Sequence, residues 1–190
     1  MRLFAAVDLS NETQDAMAAE QKRMATALGG TQAALKWVKP DHAHLTLVFL
    51  GNVDAARGDV VIEAIGGDVD LAPFDMVLEG AGAFPPRGAP RVLWIGTTAG
   101  ATELAALQLR LSSRVAGLGV ELEARPFHPH LTLGRWRESR PSDRARALAV
   151  APSGAIARVH VGHATLYQSR LSSSGAAYGA LTRANLTPRT

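Results

Sequence analysis

The chain has 190 residues, and 47% of them are hydrophobic, which is enough for one domain with a sizeable core. The absence of cysteine excludes a disulfide framework, a thiol nucleophile and cysteine-ligated zinc. The formal net charge of +3 is small, so it permits a polyanionic partner without requiring one.

The sequence contains no segment that is typical of export or membrane insertion. Before Asp8 the N-terminus has only a short apolar run, whereas a signal peptide needs a longer one. No stretch approaches the ~18 consecutive apolar residues of a membrane span. We therefore expect a monomeric cytoplasmic protein with no membrane partner.

The first half of the chain predicts alternating strands and helices. Short apolar runs bounded by turn residues indicate strands, whereas capping residues before longer segments and glycines after them indicate helices. The predicted elements are a strand over Leu3–Leu9, a helix from Ser10 or Asn11 to Leu28 that ends at Gly29-Gly30, a short strand over Lys36–Val38, a strand over His44–Leu50 closed by Gly51, a helix over Asp54–Ile65 that ends at Gly66-Gly67, and a strand over Phe74–Phe84.

A proline-rich segment, Pro85–Pro90, interrupts the chain, and the same order of elements then returns. Leucines and valine at helical spacing indicate the longer helix of this half. The predicted elements are a strand over Arg91–Thr97, a helix over Thr102–Leu118, a strand from Leu131, a short helix over Ser142–Ala149 with Pro141 at its start, a long strand over Ala155–Gln168 and a final strand over Ala176–Asn185.

A four-residue motif recurs at the same place in both series of elements. His44-Leu45-Thr46-Leu47 returns 86 residues later as His130-Leu131-Thr132-Leu133. Recurrence within a repeated order of elements indicates an internal duplication. We expect a single domain over 1–190 with a pseudo-repeat of about 1–84 and 91–185. The predicted fold class is α+β, a duplicated bilobal fold of two antiparallel sheets with helices packed outside and a central groove.

The motif places functional side chains on one face of a strand. Residues i and i+2 of a strand share a face, so His44 projects with Thr46 while the leucines turn to the core. His130 and Thr132 repeat the arrangement. If the lobes pack about a pseudo-twofold axis, two imidazoles and two hydroxyls line one groove.

Two imidazoles in one groove suit hydrolysis of a phosphodiester. A neutral histidine removes a proton from water, and a protonated one supplies a proton to the leaving ribose oxygen. Threonine hydroxyls and Arg135 would stabilise the charge that develops on the phosphate oxygens. A cyclic phosphate is strained, so this chemistry needs no metal in principle. The residues alone leave open which histidine is the acid.

Two segments carry a family resemblance. The segment Trp37–Gly51 resembles the first signature of the 2H phosphoesterases, and Phe127–Arg135 resembles the second. The similarity extends over nearly the whole chain and is to the bacterial and archaeal RNA 2′,3′-cyclic phosphodiesterases, historically called 2′-5′ RNA ligases. Asp41-His42-Ala43 replaces the more usual Asn-Leu before the first motif histidine, which leaves the role of His42 open.

The resemblance implies both a reaction and residue roles. It implies hydrolysis of a terminal 2′,3′-cyclic phosphate to a 2′-phosphate, with no metal and no other cofactor, and a weak reversible 2′-5′ RNA ligation. Candidate substrates are RNA ends, tRNA fragments among them, and cyclic nucleotides. The roles carried over are general acid for His44, general base for His130, and phosphate binding for Thr46, Thr132 and Arg135.

Two other functions stay open from the sequence. His42 and His128 each form a His-x-His pair with a motif histidine, and four imidazoles could hold zinc in a metal-dependent phosphohydrolase. Against this, Asp41 is the only carboxylate near them in sequence. Alternatively, the chain is a non-catalytic module that binds RNA ends. Activity in chelator tests the first alternative, and conversion of a cyclic-phosphate RNA tests the second.

Overall fold

A computed structural model describes residues 1–29, 35–172 and 175–188. Within these ranges ten strands and four helices follow one another, with a short 3₁₀ turn before β3. In chain order the elements are β1 (Arg2–Asp8), α1 (Asn11–Leu28), β2 (Leu35–Trp37), the 3₁₀ turn (Pro40–His42), β3 (His44–Asn52), α2 (Ala55–Ile65), β4 (Gly67–Val69), β5 (Phe74–Phe84), β6 (Val92–Thr97), α3 (Ala101–Val115), β7 (Leu131–Trp136), α4 (Pro141–Ala149), β8 (Ala157–Val161), β9 (His163–Ser172) and β10 (Gly175–Leu186).

The strands form two five-stranded sheets. Sheet A has the order β3-β1-β9-β10-β4, and sheet B has the order β2-β7-β6-β5-β8. Neighbouring strands are antiparallel except β4 and β10, which pair in parallel. The predicted α+β class with two sheets is confirmed. Among the described helices, none is long and apolar enough to cross a membrane.

Each sheet takes strands from both halves of the sequence. Strands β2 and β5 of the first half lie in sheet B, whereas β9 and β10 of the second half lie in sheet A. The helices also connect the sheets, since α1 follows β1 of sheet A and contacts β8 of sheet B, and α3 follows β6 of sheet B and contacts β3 of sheet A. The two sheets therefore do not correspond to the two halves of the sequence, because each sheet contains strands from both. The pseudo-repeat over 1–84 and 91–185 stays a prediction.

The helix boundaries follow from local chemistry. Helix α1 begins after Ser10, whose Oγ accepts a hydrogen bond from the Thr13 amide at 3.2 Å. It ends at Gly29, whose φ of 62° suits a residue without a Cβ. Gly30, the second glycine predicted to end this helix, lies outside the described residues. Helix α3 buries four of the five apolar residues predicted to line one face of it, namely Leu104, Leu107, Leu111 and Val115, each with 0% exposure. The fifth, Leu118, lies beyond the helix and is half-buried.

The predicted strand over Ala155–Gln168 is wrong as a single element. The chain forms β8 and β9 instead, which lie in different sheets on either side of Gly162. The buried positions show the break, because Val159 and Val161 are two apart whereas the next buried residue, Ala164, follows after three. The alternation is thus shifted by one residue at Gly162, so the side chains that follow turn to the other face.

Two other predictions in the fold need correction. Helix α3 ends at Val115 and not at Leu118, and Gly117 and Gly119 follow it with φ values of 83° and 70°. Strand β4 was not predicted, because its short segment begins at a glycine that reads as a helix end. This strand obtains its hydrogen bonds from β10, which is distant in sequence.

A buried amide ties α1 to the strand that carries the second motif. Gln21 is 7% exposed, and its Nε2 donates hydrogen bonds of 2.9 Å to the carbonyls of Val38 and Leu133. The Val38 amide donates to the Leu133 carbonyl as well, also at 2.9 Å. The second motif is thus held by a helix from the first half of the chain.

Replacing Gln21 by Leu keeps most of the volume and removes both donors. We expect the free energy of unfolding in urea to fall by about 1–3 kcal/mol, because the partly buried Val38 carbonyl is left without this donor. The matched control is Gln14→Leu on the same helix, whose half-buried amide makes a 3.3 Å bond to Leu9. Equal losses in the two variants would contradict this role of Gln21.

Candidate active site

The first motif lies at the edge of sheet A beside β1. Leu45 and Leu47 are 0% and 3% exposed, whereas His44 and Thr46 are half-buried on the other face. In the register with β1, His44 lies opposite Asp8. The predicted alternation of the first motif is therefore observed.

The second motif has the same construction in sheet B. Leu131 and Leu133 are 1% and 0% exposed, and Thr132 is half-buried on the opposite face. His130 directly precedes β7 and is also half-buried. Both predicted His-Thr pairs are thus turned away from the leucines that anchor their strands.

A register shift of β-bulge type follows the threonine in both motifs. In β3 it lies where Leu47 and Val48 are both buried, and in β7 it lies at Leu133, which precedes the buried Gly134. The extra residue puts two successive positions on the buried face, so the residue three places after the threonine returns to the face of the threonine. This places Arg135 on the face of Thr132.

Aromatic rings surround His44. Its imidazole stacks on Phe4 at 4.7 Å between ring centroids and meets the edge of Tyr178 at 5.3 Å. Tyr167 stacks on Phe4 with 5.4 Å between ring centroids, and the His42 ring centroid lies 5.2 Å from that of Tyr178. These rings remove water from around the His44 imidazole.

A second aromatic cluster surrounds His130. Phe84 lies 5.1 Å from its imidazole and Trp94 lies 6.2 Å from it. His128 contacts the same two rings, at 4.8 Å from Trp94 and 5.5 Å from Phe84. Gly82 is required here, because a Cβ at that position would lie 2.1 Å from the Trp94 ring.

Each imidazole has a backbone carbonyl as the hydrogen-bond partner of its Nδ1 nitrogen. Nδ1 of His44 lies 2.9 Å from the His42 carbonyl, and Nδ1 of His130 lies 2.7 Å from the His128 carbonyl. A carbonyl only accepts, so Nδ1 carries the proton in each ring. Nε2 is then the nitrogen that can take up or release a proton.

Burial lowers the pKa of His44 below its ordinary value of 6.5, because an imidazolium loses solvation in the aromatic surroundings. The hydrogen bond to His42 and the charge of Asp8 oppose this shift, whereas Arg135 and then His42 add to it. At neutral pH the free protein therefore holds this imidazole mainly neutral.

Burial also lowers the pKa of His130 from 6.5. The hydrogen bond to the His128 carbonyl opposes the shift, and the charges of His128 and Arg135 add to it. Arg135 thus acts electrostatically on both motif histidines. This shared influence agrees with the packing of the two motif strands, since β3 and β7 contain residues with Cα atoms within 8 Å of each other.

The site includes a carboxylate that the sequence did not reveal. Asp8 is 29% exposed and accepts hydrogen bonds from Thr165 at 2.6 Å, Tyr167 at 2.6 Å and His163 at 3.1 Å. Its donors come from β9, more than 150 residues later in the sequence. No motif spacing marks a contact of this kind.

The His-x-His pairs do not assemble into a larger group of ligands. The rings of His128 and His130 lie 6.3 Å apart. Among the residues that the structure describes, no three His, Cys, Asp or Glu side chains gather in a way that could hold a metal ion.

Residues 7–172 match the model of a family described as the 2′-5′ RNA ligase superfamily. This region contains both motifs and most of the strands of both sheets. The chain belongs to the 2′-5′ RNA ligase superfamily. The predicted resemblance to 2H phosphoesterases is confirmed.

Relatives in this superfamily match nearly end to end. The Escherichia coli (strain K12) protein named RNA 2′,3′-cyclic phosphodiesterase is 32% identical over 186 residues, which cover 98% of this chain and 97% of that protein. A protein of the same name from Methanothermobacter thermautotrophicus is 30% identical and is covered to 95%. The crystal structure of Escherichia coli LigT complexed with 3′-AMP superposes with a TM-score of 0.77 at 29% identity, covering 98% of each chain.

NMR of the imidazole nitrogens can test the tautomers and the titration of His44 and His130. We expect His44 and His130 to titrate below pH 6.5 and their neutral rings to carry the proton on Nδ1. Unfolding in urea provides the control, since both values should then return towards 6.5. A neutral ring protonated on Nε2 would contradict the observed carbonyl contact of that histidine.

Proposed function

We propose that the chain hydrolyses RNA 2′,3′-cyclic phosphates without a metal, using His44 and His130 as a proton donor and a proton acceptor. The relatives described above are named for this reaction. The observation that carries the mechanism is the matched pair of imidazoles, each with Nδ1 bound to a carbonyl and both within the influence of Arg135.

The proposed reaction balances with these two groups alone. Nε2 of His130 takes a proton from water as the water oxygen bonds to phosphorus. The bond between phosphorus and O3′ breaks, and Nε2 of His44 gives its proton to O3′. The products are a 2′-phosphate and a free 3′-hydroxyl, and proton exchange with solvent restores both rings. Each proton transfer contributes roughly 10²–10⁴-fold to such a rate.

The negative charge that develops on the phosphate oxygens needs donors on the same face. The hydroxyls of Thr46 and Thr132 supply neutral hydrogen bonds there, and the Arg135 guanidinium supplies a positive charge. Arg135 is exposed, so it can also reach the backbone of an RNA chain that extends from the groove.

The same chemistry runs with a ribose hydroxyl in place of water. When a 5′-hydroxyl attacks the cyclic phosphate, departure of O3′ leaves a 2′-5′ linkage, and the reverse step regenerates the cyclic phosphate. We propose weak reversible ligation on this ground. The substrates we propose are RNA ends, including tRNA fragments, and free cyclic nucleotides, and the enzyme acts as a cytoplasmic monomer.

Conversion of an end-labelled RNA oligomer with a 2′,3′-cyclic phosphate tests the proposal. We expect the wild-type chain to give a 2′-monophosphate, and we expect His44→Ala and His130→Ala each to lower turnover by at least about 10²-fold. The matched control is His160→Ala, since His160 is an exposed histidine of sheet B paired with Asp75 at 2.9 Å. Near-normal turnover in either motif variant would refute that residue's role.

In the same assay, threonine variants test the phosphate-binding role and a chelator tests metal dependence. Thr46→Ala and Thr132→Ala should each lower turnover by only about 10–10²-fold, because each removes one neutral hydrogen bond to developing charge. Activity in EDTA should be unchanged, and complete loss would favour the metal-dependent alternative. RNA binding without any conversion would favour the non-catalytic module.

The pH dependence follows from the lowered histidine pKa values. One histidine must be neutral and the other charged, so the active fraction is greatest between the two pKa values, both of which lie below 6.5. We expect a bell-shaped profile of kcat/KM with its maximum below pH 6.5. The maximum of kcat should lie at higher pH, because the bound phosphate favours imidazolium. A flat kcat/KM profile under conditions where chemistry limits the rate would contradict the pair.

A further inference from the structure

The two motif strands match closely, but their partner strands differ at one position. Asp8 of β1 lies opposite His44. In sheet B the pairing of β6 with β7 ends at Ile95 and Leu131, one residue before His130, and the next residue of β6 is Gly96. His44 therefore faces a carboxylate across the strands, whereas the matching position of β6 beside His130 is a residue without a side chain.

The Asp8 carboxylate is held by three side chains of β9. Its Oδ2 accepts from Thr165 and His163, and its Oδ1 accepts from Tyr167. Burial and the hydrogen bond to Asp8 both raise the pKa of Tyr167, so the phenol remains a donor. These bonds fix the position of the negative charge beside the first motif.

Asp8 acts on His44 through its charge. The Nδ1 nitrogen of His44 is already bound to the His42 carbonyl, and the Asp8 oxygens have their donors on β9. A carboxylate in a poorly solvated site stabilises a nearby imidazolium even without a direct hydrogen bond.

We infer that Asp8 is a positioning residue that makes His44 the proton donor and leaves His130 as the base. This inference rests on the proposed two-histidine function and resolves the assignment that the motifs alone leave open. The Asp8 carboxylate has no part in the proton transfers themselves, and on this inference it accounts for the difference between two otherwise similar histidines.

The other charges around the pair do not provide the same difference. Facing His44 are His42 from the 3₁₀ turn, Arg135 from β7 and the Tyr178 ring from β10. His42 has its counterpart in His128 beside His130, and Arg135 acts on both histidines.

Glu123 is the acidic residue that acts on His130, and its influence ranks behind those of His128 and Arg135. It is exposed and forms an ion pair with Arg125. Solvent and its partner therefore screen its charge, whereas Asp8 is held in a half-buried network.

Asp8→Asn tests the inference by two measurements. By NMR of the free protein, we expect the titration of His44 to move to lower pH and that of His130 to move less. In kcat/KM with a cyclic-phosphate RNA, we expect a loss of roughly three- to tenfold on the alkaline side of the profile and of less than about twofold on the acidic side. The amide keeps an oxygen for Thr165 and His163, and its nitrogen can donate to the Tyr167 oxygen.

Two control variants separate charge from structure. Tyr167→Phe removes one hydrogen bond but keeps the carboxylate, so the alkaline limb should not move to lower pH. Asp75→Asn removes the carboxylate of another Asp–His pair, the one with His160 in sheet B, and should leave both limbs in place.

Three results would overturn the inference. They are an unchanged His44 titration in Asp8→Asn, an equal loss of kcat/KM at every pH, and a shift of the acidic limb instead of the alkaline one. In each case a wild-type chain that still opens the cyclic phosphate leaves the proposed function standing. A wild-type chain without hydrolysis would refute that function independently of Asp8.

Discussion

Burial of paired leucines fixes the orientation of each motif strand. Leu45 and Leu47 anchor β3, and the corresponding leucines of the second motif anchor β7. A shift of one residue in either register would turn the histidine and threonine into the core and expose the leucines. Burying each leucine is worth about 1.5–3 kcal/mol, so this orientation is strongly favoured. The placement of the imidazoles depends on this constraint.

Connections between the sheets then hold the two strands near each other. Gln21 of α1 bonds to the carbonyl of Leu133 in the second motif, while α3 contacts the strand of the first. Each motif is thus supported by a helix that follows a strand of the other sheet. Separate lobes joined by a linker would leave the spacing of the imidazoles free to vary, and hydrolysis by a pair of histidines requires a fixed spacing.

The sequence predicted the parts of the site that local periodicity determines. The i, i+2 spacing correctly placed His44 and Thr46 on one face, and it did so again in the second motif. Asp8 was missed because its role depends on pairing with β3 and on donors from β9. The division of Ala155–Gln168 into two strands was missed for a related reason, since the sheet that each half joins is decided by distant partners. Local pattern does not contain either contact.

The two matched motifs pose a chemical problem, because they present two like histidines, whereas acid–base catalysis needs the histidines in opposite protonation states. The structure keeps what both rings need alike: the carbonyl on Nδ1, the aromatic surroundings and the register shift after threonine. It differs where a charge can act. Asp8 stands where the other sheet has Gly96. The Asp8 carboxylate gives His44 the more negative surroundings, so two similar motifs can support the asymmetric reaction proposed for them.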